Sequence, residues 1–166
     1  SVGTSAKKAY DYRIREEDMG KNAIVWNNDQ YILSGNDKLD KAYKEIESQL
    51  GIKPLKMTTV PFDMIFQELK IEHGNALLKF KYNDHIICIT QSKRDVTTSN
   101  TVVSDRKVYK TIYNIWLEKD INIAKNKLPG GEIEYSSKIN LDGAYYYLSG
   151  VMDEDDFISL IENVIY

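Results

Sequence analysis

Tyr145-Tyr146-Tyr147-Leu148-Ser149-Gly150 runs directly into Val151-Met152-Asp153-Glu154-Asp155-Asp156-Phe157-Ile158-Ser159-Leu160-Ile161. An aromatic, β-prone strand stops at a Ser-Gly break, and an acidic helix start leads into an apolar stripe at helical spacing. A similar unit stands near the other end: Tyr31-Ile32-Leu33-Ser34-Gly35, then Asn36-Asp37-Lys38-Leu39 and a helical run to Leu50. Superimposing Gly35 on Gly150 aligns Tyr31 with Tyr146, Leu33 with Leu148 and Ser34 with Ser149. The match suits either a duplication of units 31–50 and 146–165 or convergence on a frequent strand-to-helix solution. In both units the Gly is expected to supply the unusual backbone angles of the swing into the helix.

Between these units the chain is rich in β-formers and turn signals. Asn22–Trp26 and Gln30–Ser34 flank Asn27-Asn28-Asp29, residues that tolerate left-handed backbone angles and so predict a hairpin. Asp37 is placed to cap a helix whose stripe is Leu39, Ala42, Tyr43, Ile46 and Leu50. Gly51 ends that helix and Pro54 enforces the stop. Lys53–Pro61 reads as an extended connector, and a strand is expected from about Phe66. His73-Gly74-Asn75 and Asn83-Asp84 turn that strand into Ala76–Tyr82 and then Ile86–Thr90, a three-stranded antiparallel meander. Ser92–Asp105 is polar and reads as a loop. Strands follow at Val108–Trp116, Asn122–Lys125, Glu132–Lys138 and Ala144–Ser149, with turns at Pro129-Gly130-Gly131 and Asp142-Gly143. The first twenty residues suit a short strand through Tyr10, Tyr12 and Ile14, or a helix over Ser5–Glu17.

Eight or nine short strands joined by tight turns require mostly antiparallel pairing, because parallel pairs need long crossovers. The expectation is an α+β fold: one domain over residues 1–166, a mostly antiparallel curved sheet with two helices packed on one face. A chain of 166 residues, 42% hydrophobic and 28% charged, is long enough to bury a real core. A net charge of −3 with basic residues scattered among acids is no nucleic-acid footprint. No apolar run approaches the roughly 18 residues of a membrane span. The opening Ser1-Val2-Gly3-Thr4-Ser5 suits the start of an excised fragment.

Candidate chemistry is sparse. One cysteine, Cys88, leaves no internal disulfide, and its apolar surroundings predict burial. His73 falls in a turn and is expected in solvent. His85 and Cys88 stand three apart on a strand, so alternation sends their side chains to opposite faces and makes them a poor metal pair. Asp153-Glu154-Asp155-Asp156 lacks the alternating ligands and central Gly of a calcium loop. It suits a helix start, with Asp153 as cap and Asp156 in a capping-box position. Neither Ser34 nor Ser149 sits in a nucleophile elbow, and Pro129-Gly130-Gly131 is not followed by the Lys-Ser/Thr of a phosphate loop. No catalytic residue, metal ligand or cofactor is therefore expected. The least ordinary feature is the aromatic series, with 12 Tyr against 4 Phe. Tyr109, Tyr113, Trp116, Tyr145 and Tyr147 are the candidates for a partner surface, since tyrosine offers large area with a polar tip. Alternation puts Tyr146 on the face opposite Tyr145 and Tyr147.

From Leu50 onward the chain resembles a known family. The motifs are Leu50-Gly51-Ile52-Lys53-Pro54, Val60-Pro61-Phe62, the strand end Ile89-Thr90-Gln91-Ser92, and Tyr146-Tyr147-Leu148-Ser149-Gly150 with a helix from Asp153. In this order they are similar to the uncharacterised extracytoplasmic domain of clostridia and related Gram-positive bacteria (domain of unknown function 4367). That domain is often carried after one membrane-spanning helix in anti-sigma-factor-like proteins. The resemblance implies a location outside the cytoplasmic membrane with an anchor elsewhere in the full-length protein, and it carries no catalytic residue with it. The function expected is a non-enzymatic sensory or interaction domain that binds a protein, peptide or envelope component. The alternatives are a carrier for a small apolar ligand or lipid and, less favoured, a hydrolase with an unrecognised carboxylate site.

Overall fold

The computed structural model describes residues 37–94 and 107–166, together with the backbone of 23–26 and 30–33. The expectations for the first twenty residues, the Asn27–Asp29 turn, Ser34-Gly35 and most of the loop after Ser92 fall outside these residues. In chain order the elements are β1 (Ala23–Trp26), β2 (Gln30–Leu33), α1 (Asp37–Leu50), β3 (Thr59–Pro61), β4 (Met64–Glu72), β5 (Asn75–Tyr82) and β6 (His85–Ser92). They continue with β7 (Val108–Asn114), β8 (Lys119–Lys127), β9 (Ile133–Leu141), β10 (Ala144–Val151) and α2 (Glu154–Asn163).

The class is α+β as expected, built on an open, curved, fully antiparallel seven-stranded sheet of order β4-β5-β6-β10-β9-β8-β7. β4-β5-β6 is the expected meander, and β7-β8-β9-β10 is a second one that returns to lay β10 beside β6. β7 therefore lies four strand spacings from β6, about 19 Å at about 4.8 Å each, farther than a two-residue turn reaches. The second sheet is small, β1-β2-β3, and contains the expected hairpin of β1 and β2. Its third strand corrects the reading of Lys53–Pro61 as a plain connector, since Thr59–Pro61 pairs with β2. Pro61 donates nothing to a ladder, so it is tolerated at the end of this three-residue edge strand. The two Ser-Gly units accordingly differ in setting: β2 belongs to the small sheet, while β10 is central in the large one.

Turn chemistry explains the registers. Asp142 and Gly143 both adopt left-handed angles (φ 50° and 79°), the two-residue geometry that matches strand twist. This turn fixes Ala144 opposite Leu141 and so places Tyr146 across from Ile139 and Gln91. One face of the sheet then carries Ala76, Leu78 and Phe80, Ile87 and Ile89, Tyr146 and Leu148, with Ile121 and Ile123 on β8, all buried. Both helices pack on this face. α1 contributes the predicted stripe of Leu39, Ala42, Tyr43, Ile46 and Leu50, and α2 contributes Phe157, Leu160 and Ile161.

Polar groups buried in this interior are matched. The Gln91 amide donates to the Leu55 carbonyl and accepts from the Leu55 N–H, each at 3.0 Å, so it acts as a ladder partner for the connector. The Met57 N–H donates to the Tyr43 hydroxyl at 2.9 Å. Asn114, at the end of β7, is fully buried and makes four bonds. Its amide donates to the carbonyls of Ile161 (2.8 Å) and Val164 (2.9 Å) at the end of α2, while its oxygen accepts from the N–H groups of Trp116 and Leu117 (both 2.8 Å).

Two expectations need correction. Gly150 does not use an unusual backbone angle; it is required because a Cβ there would lie 2.3 Å from Ile87 Cδ1 and 3.3 Å from Ile87 Cα. Asp153 does occupy the N-cap of α2 but makes no side-chain cap bond. Without that bond the reciprocal box is not closed, and the Asp156 carboxylate accepts from the Tyr82 hydroxyl at 2.6 Å, which ties the first turn of α2 to β5.

Candidate functional site

The five aromatic candidates divide into three groups. Alternation holds in β10, where Tyr146 is fully buried and Tyr145 and Tyr147 stand half-buried on the opposite face, away from both helices. Tyr113 shares that outer face, because it pairs with Asp120, whose neighbours Ala124, Ser136 and Ser149 lead across the sheet to Tyr147. Two strands separate Tyr113 from β10. Tyr109 turns the other way. A bulge between Val108 and Lys110 shifts the register of β7, and the Tyr109 ring lands 6.4 Å from that of Tyr135 on the helix face. Trp116 lies in the turn after β7, which Asn114 pins.

What unites Tyr109, Tyr113 and Trp116 is the edge of the sheet. β7 is the terminal strand, and no described strand pairs with its outer side. Val108, Tyr109, Tyr113 and Trp116 are 50%, 40%, 53% and 40% exposed, and they make up four of the seven large exposed apolar side chains among the described residues. Such a row on an unpaired edge is the feature that proteins usually avoid, because it templates pairing with another chain. The bulge and Lys110 blunt the first part of the strand, whereas Thr111–Asn114 pairs regularly.

The edge is clamped to α2 through one carboxylate. Glu154, the first residue of α2, accepts from the Tyr109 hydroxyl (2.8 Å), the Tyr135 hydroxyl (3.2 Å) and the Lys110 ammonium. These donors, Lys110 foremost and then Tyr109, hold the Glu154 carboxyl below the ordinary carboxylate range. Lys125 Nζ stands 4.6 Å over the Tyr109 ring. Beside this clamp an open cleft of about 440 Å³ is lined by Tyr82, His85, Glu132, Tyr135 and Asp153 among others. His85 Nε2 lies 2.9 Å from the Glu132 carboxylate across it.

His85 pairs with Tyr82 and Cys88 with Lys79, so the two point to opposite faces as alternation requires. Cys88 is half-buried on the outer face rather than in the core, because its neighbours Ile87 and Ile89 take the inward positions. Burial nevertheless pushes its thiol up, away from the reactive thiolate. His73 is exposed in its turn. Among the described residues no three of His, Cys, Asp and Glu gather as a metal-holding group, and no helix is long and apolar enough to cross a membrane. A second open groove, of about 590 Å³, lies at the end of α1 and is lined by Ile52, Lys53, Pro54, Lys56, Ile165 and Tyr166 among others. Comparison of the chain with protein-family models, with curated proteins and with solved structures gives no match.

The tyrosines that join these elements make a pH prediction. Burial first, and then hydrogen bonds to Asp156 and Glu154, raises the hydroxyls of Tyr82 and Tyr135 above the ordinary phenol value, Tyr135 to about 12. Burial likewise raises Tyr43 and Tyr146. A group whose folded value is raised stabilises fully below its unfolded value, here near 10, and loses that contribution as the pH climbs through the folded one. Stability is expected to fall from about pH 10 through about pH 12. The phenolate absorbance of these four is expected to lag behind the ordinary phenol range and to rise together with unfolding. A single stage in which every tyrosine ionises near pH 10 contradicts the packing described.

Proposed function

We propose that the protein is a non-enzymatic interaction domain of the extracytoplasmic, sensory kind, and that it takes an extended segment of a partner protein or peptide along β7. The single observation that carries this reading is the concentration of exposed Val108, Tyr109 and Tyr113 on one unpaired edge strand, with Trp116 in the turn that follows it. Edge addition supplies affinity through main-chain hydrogen bonds and specificity through alternate side chains, and tyrosine and tryptophan are the residues that dominate such contacts. The extracytoplasmic part rests on the motifs from Leu50 to the Asp153 helix start that resemble the Gram-positive domain family.

The chemistry of the neighbouring cleft favours binding over catalysis. Five of its ionisable groups are engaged: His85 with Glu132, Tyr82 with Asp156, Glu154 with Tyr109, Lys110 and Tyr135. A carboxyl held below its ordinary range, like Glu154, is the reverse of what a general acid requires. The space between sheet and helices is filled by Phe80, Tyr146, Phe157 and the aliphatic core, which favours a surface partner over a carrier that encloses its ligand.

The test is retention on purified cell-envelope preparations of a Gram-positive bacterium. The protein is expected to be retained, and a Tyr113→Ser/Trp116→Ser double variant to lose most of that retention while keeping its thermal midpoint, since both side chains are largely exposed. Equal retention of the folded variant, or none by either protein, contradicts the proposal.

A further inference from the structure

The groove at the end of α1 combines an apolar floor with two lysines on its wall and a third beside its rim. Its floor is an isolated antiparallel bridge: the Lys56 N–H donates to the Ile165 carbonyl at 2.8 Å, and the Ile165 N–H donates to the Lys56 carbonyl at 3.0 Å. Residues directly opposite in such a pair project to the same side, so Lys56 and Ile165 line the groove together. Ile52, Pro54 and Tyr166 form the rest of its apolar surface.

Three cations surround this surface. Lys53 Nζ lies 4.7 Å from the Tyr166 ring centroid, and Lys56 Nζ 5.7 Å from that of Tyr43. Gly51, on the rim with φ +66°, has no side chain, and the place its Cβ would take is 3.2 Å from Lys93 Nζ. The carboxylates nearby are Glu47 on the groove wall, Asp142, which meets the Tyr166 hydroxyl, and Asp40, which acts on Tyr43; none of them makes an ion pair with Lys53, Lys56 or Lys93 among the described residues. Lys93 also complements the carbonyl end of α1, which has no basic residue in its last turn. That accounts for one lysine and for neither the other two nor the apolar floor. A ring face is a weaker partner for an ammonium than an anion is, so Lys53 and Lys56 are placed to exchange one for the other.

We propose that this groove binds a single-chain anionic amphiphile. A carboxylate or phosphate head meets Lys53, Lys56 and Lys93, and the alkyl chain lies along Ile52, Pro54, Ile165 and Tyr166. The volume of about 590 Å³ is within the span of small-molecule sites. This site is separate from the β7 edge and does not depend on the function proposed for it.

Calorimetric titration with dodecyl phosphate below its micelle concentration tests the proposal. One saturable site is expected, weakened about tenfold or more in a Lys53→Glu/Lys56→Glu variant whose thermal midpoint is unchanged, since both side chains are exposed. Inorganic phosphate, with the head alone, and dodecyl maltoside, with the chain alone, are each expected to bind about tenfold more weakly or worse. The Tyr113→Ser/Trp116→Ser variant should bind dodecyl phosphate like the parent. Four results overturn the proposal: no saturable binding, equal affinity for either half of the amphiphile, indifference to the lysine reversals, or attachment to phosphatidylglycerol vesicles without binding of the free amphiphile.

Discussion

Replacing Asn114 with Ala is expected to destabilise the protein by about 3 kcal/mol or more and to lower its thermal midpoint by roughly 10 °C. One fully buried amide links three parts of the fold: the end of β7, the turn through Trp116 and Leu117, and the last carbonyls of α2. Alanine leaves two N–H groups and two carbonyls without these partners, in a place where each unsatisfied group costs about 1–3 kcal/mol. Asn114→Asp keeps the acceptor but turns a carboxylate toward the Ile161 and Val164 carbonyls. Its penalty is expected to be large at pH 7 and smaller in acid, where a protonated carboxyl donates to one of them. Urea titrations of both variants at two pH values measure this. A loss within about 0.5 kcal/mol for Asn114→Ala would show that the amide does not join helix to strand.

The second large effect is expected at Gly150. Its backbone needs no special angle, so the cost of Gly150→Ala comes from contact with Ile87, fully buried and unable to swing aside. Overpacking of this kind costs about 1–3 kcal/mol. Ile87→Val removes Cδ1, the atom that meets the new methyl, and alone costs about 1 kcal/mol. The double variant should therefore be more stable than the sum of the single losses, with a coupling of about 1 kcal/mol. Strict additivity would mean that β10 and β6 do not approach as closely as the register of Ser149 with Cys88 requires.

Local signals made the elements legible. The α1 stripe from Leu39 to Leu50, the turns at His73-Gly74, Asn83-Asp84 and Asp142-Gly143, and the alternation of Tyr145, Tyr146 and Tyr147 depend on neighbours in sequence, and the structure repeats them. The order of the large sheet depends on which distant strands meet, and no turn residue announces that β10 lies between β6 and β9. β3 escaped because three residues ending in Pro61 carry too little pattern.

The site was legible in composition rather than in direction. Tyr109, Tyr113 and Trp116 stand out as aromatics, yet strict alternation assigns Tyr109 to the outer face, and only the bulge turns it toward Tyr135 and Glu154. The acidic run marks Asp156 as a first-turn residue of α2, but nothing near it in sequence announces its bond to Tyr82 on β5. Gln91 and Asn114 did leave a signal. Each is a polar residue at the strand parity of inward-facing apolar neighbours, buried Ile87 and Ile89 for one and half-buried Ile112 for the other, where a polar group must find bonds.

The most direct test of the β7 edge as a docking rail is photocrosslinking in cells producing the protein, with a photoreactive amino acid at Tyr113 and, as control, at exposed Lys44 on α1. A discrete adduct from position 113 and none from position 44 is the predicted result. No adduct from 113, or the same adducts from both positions, contradicts it.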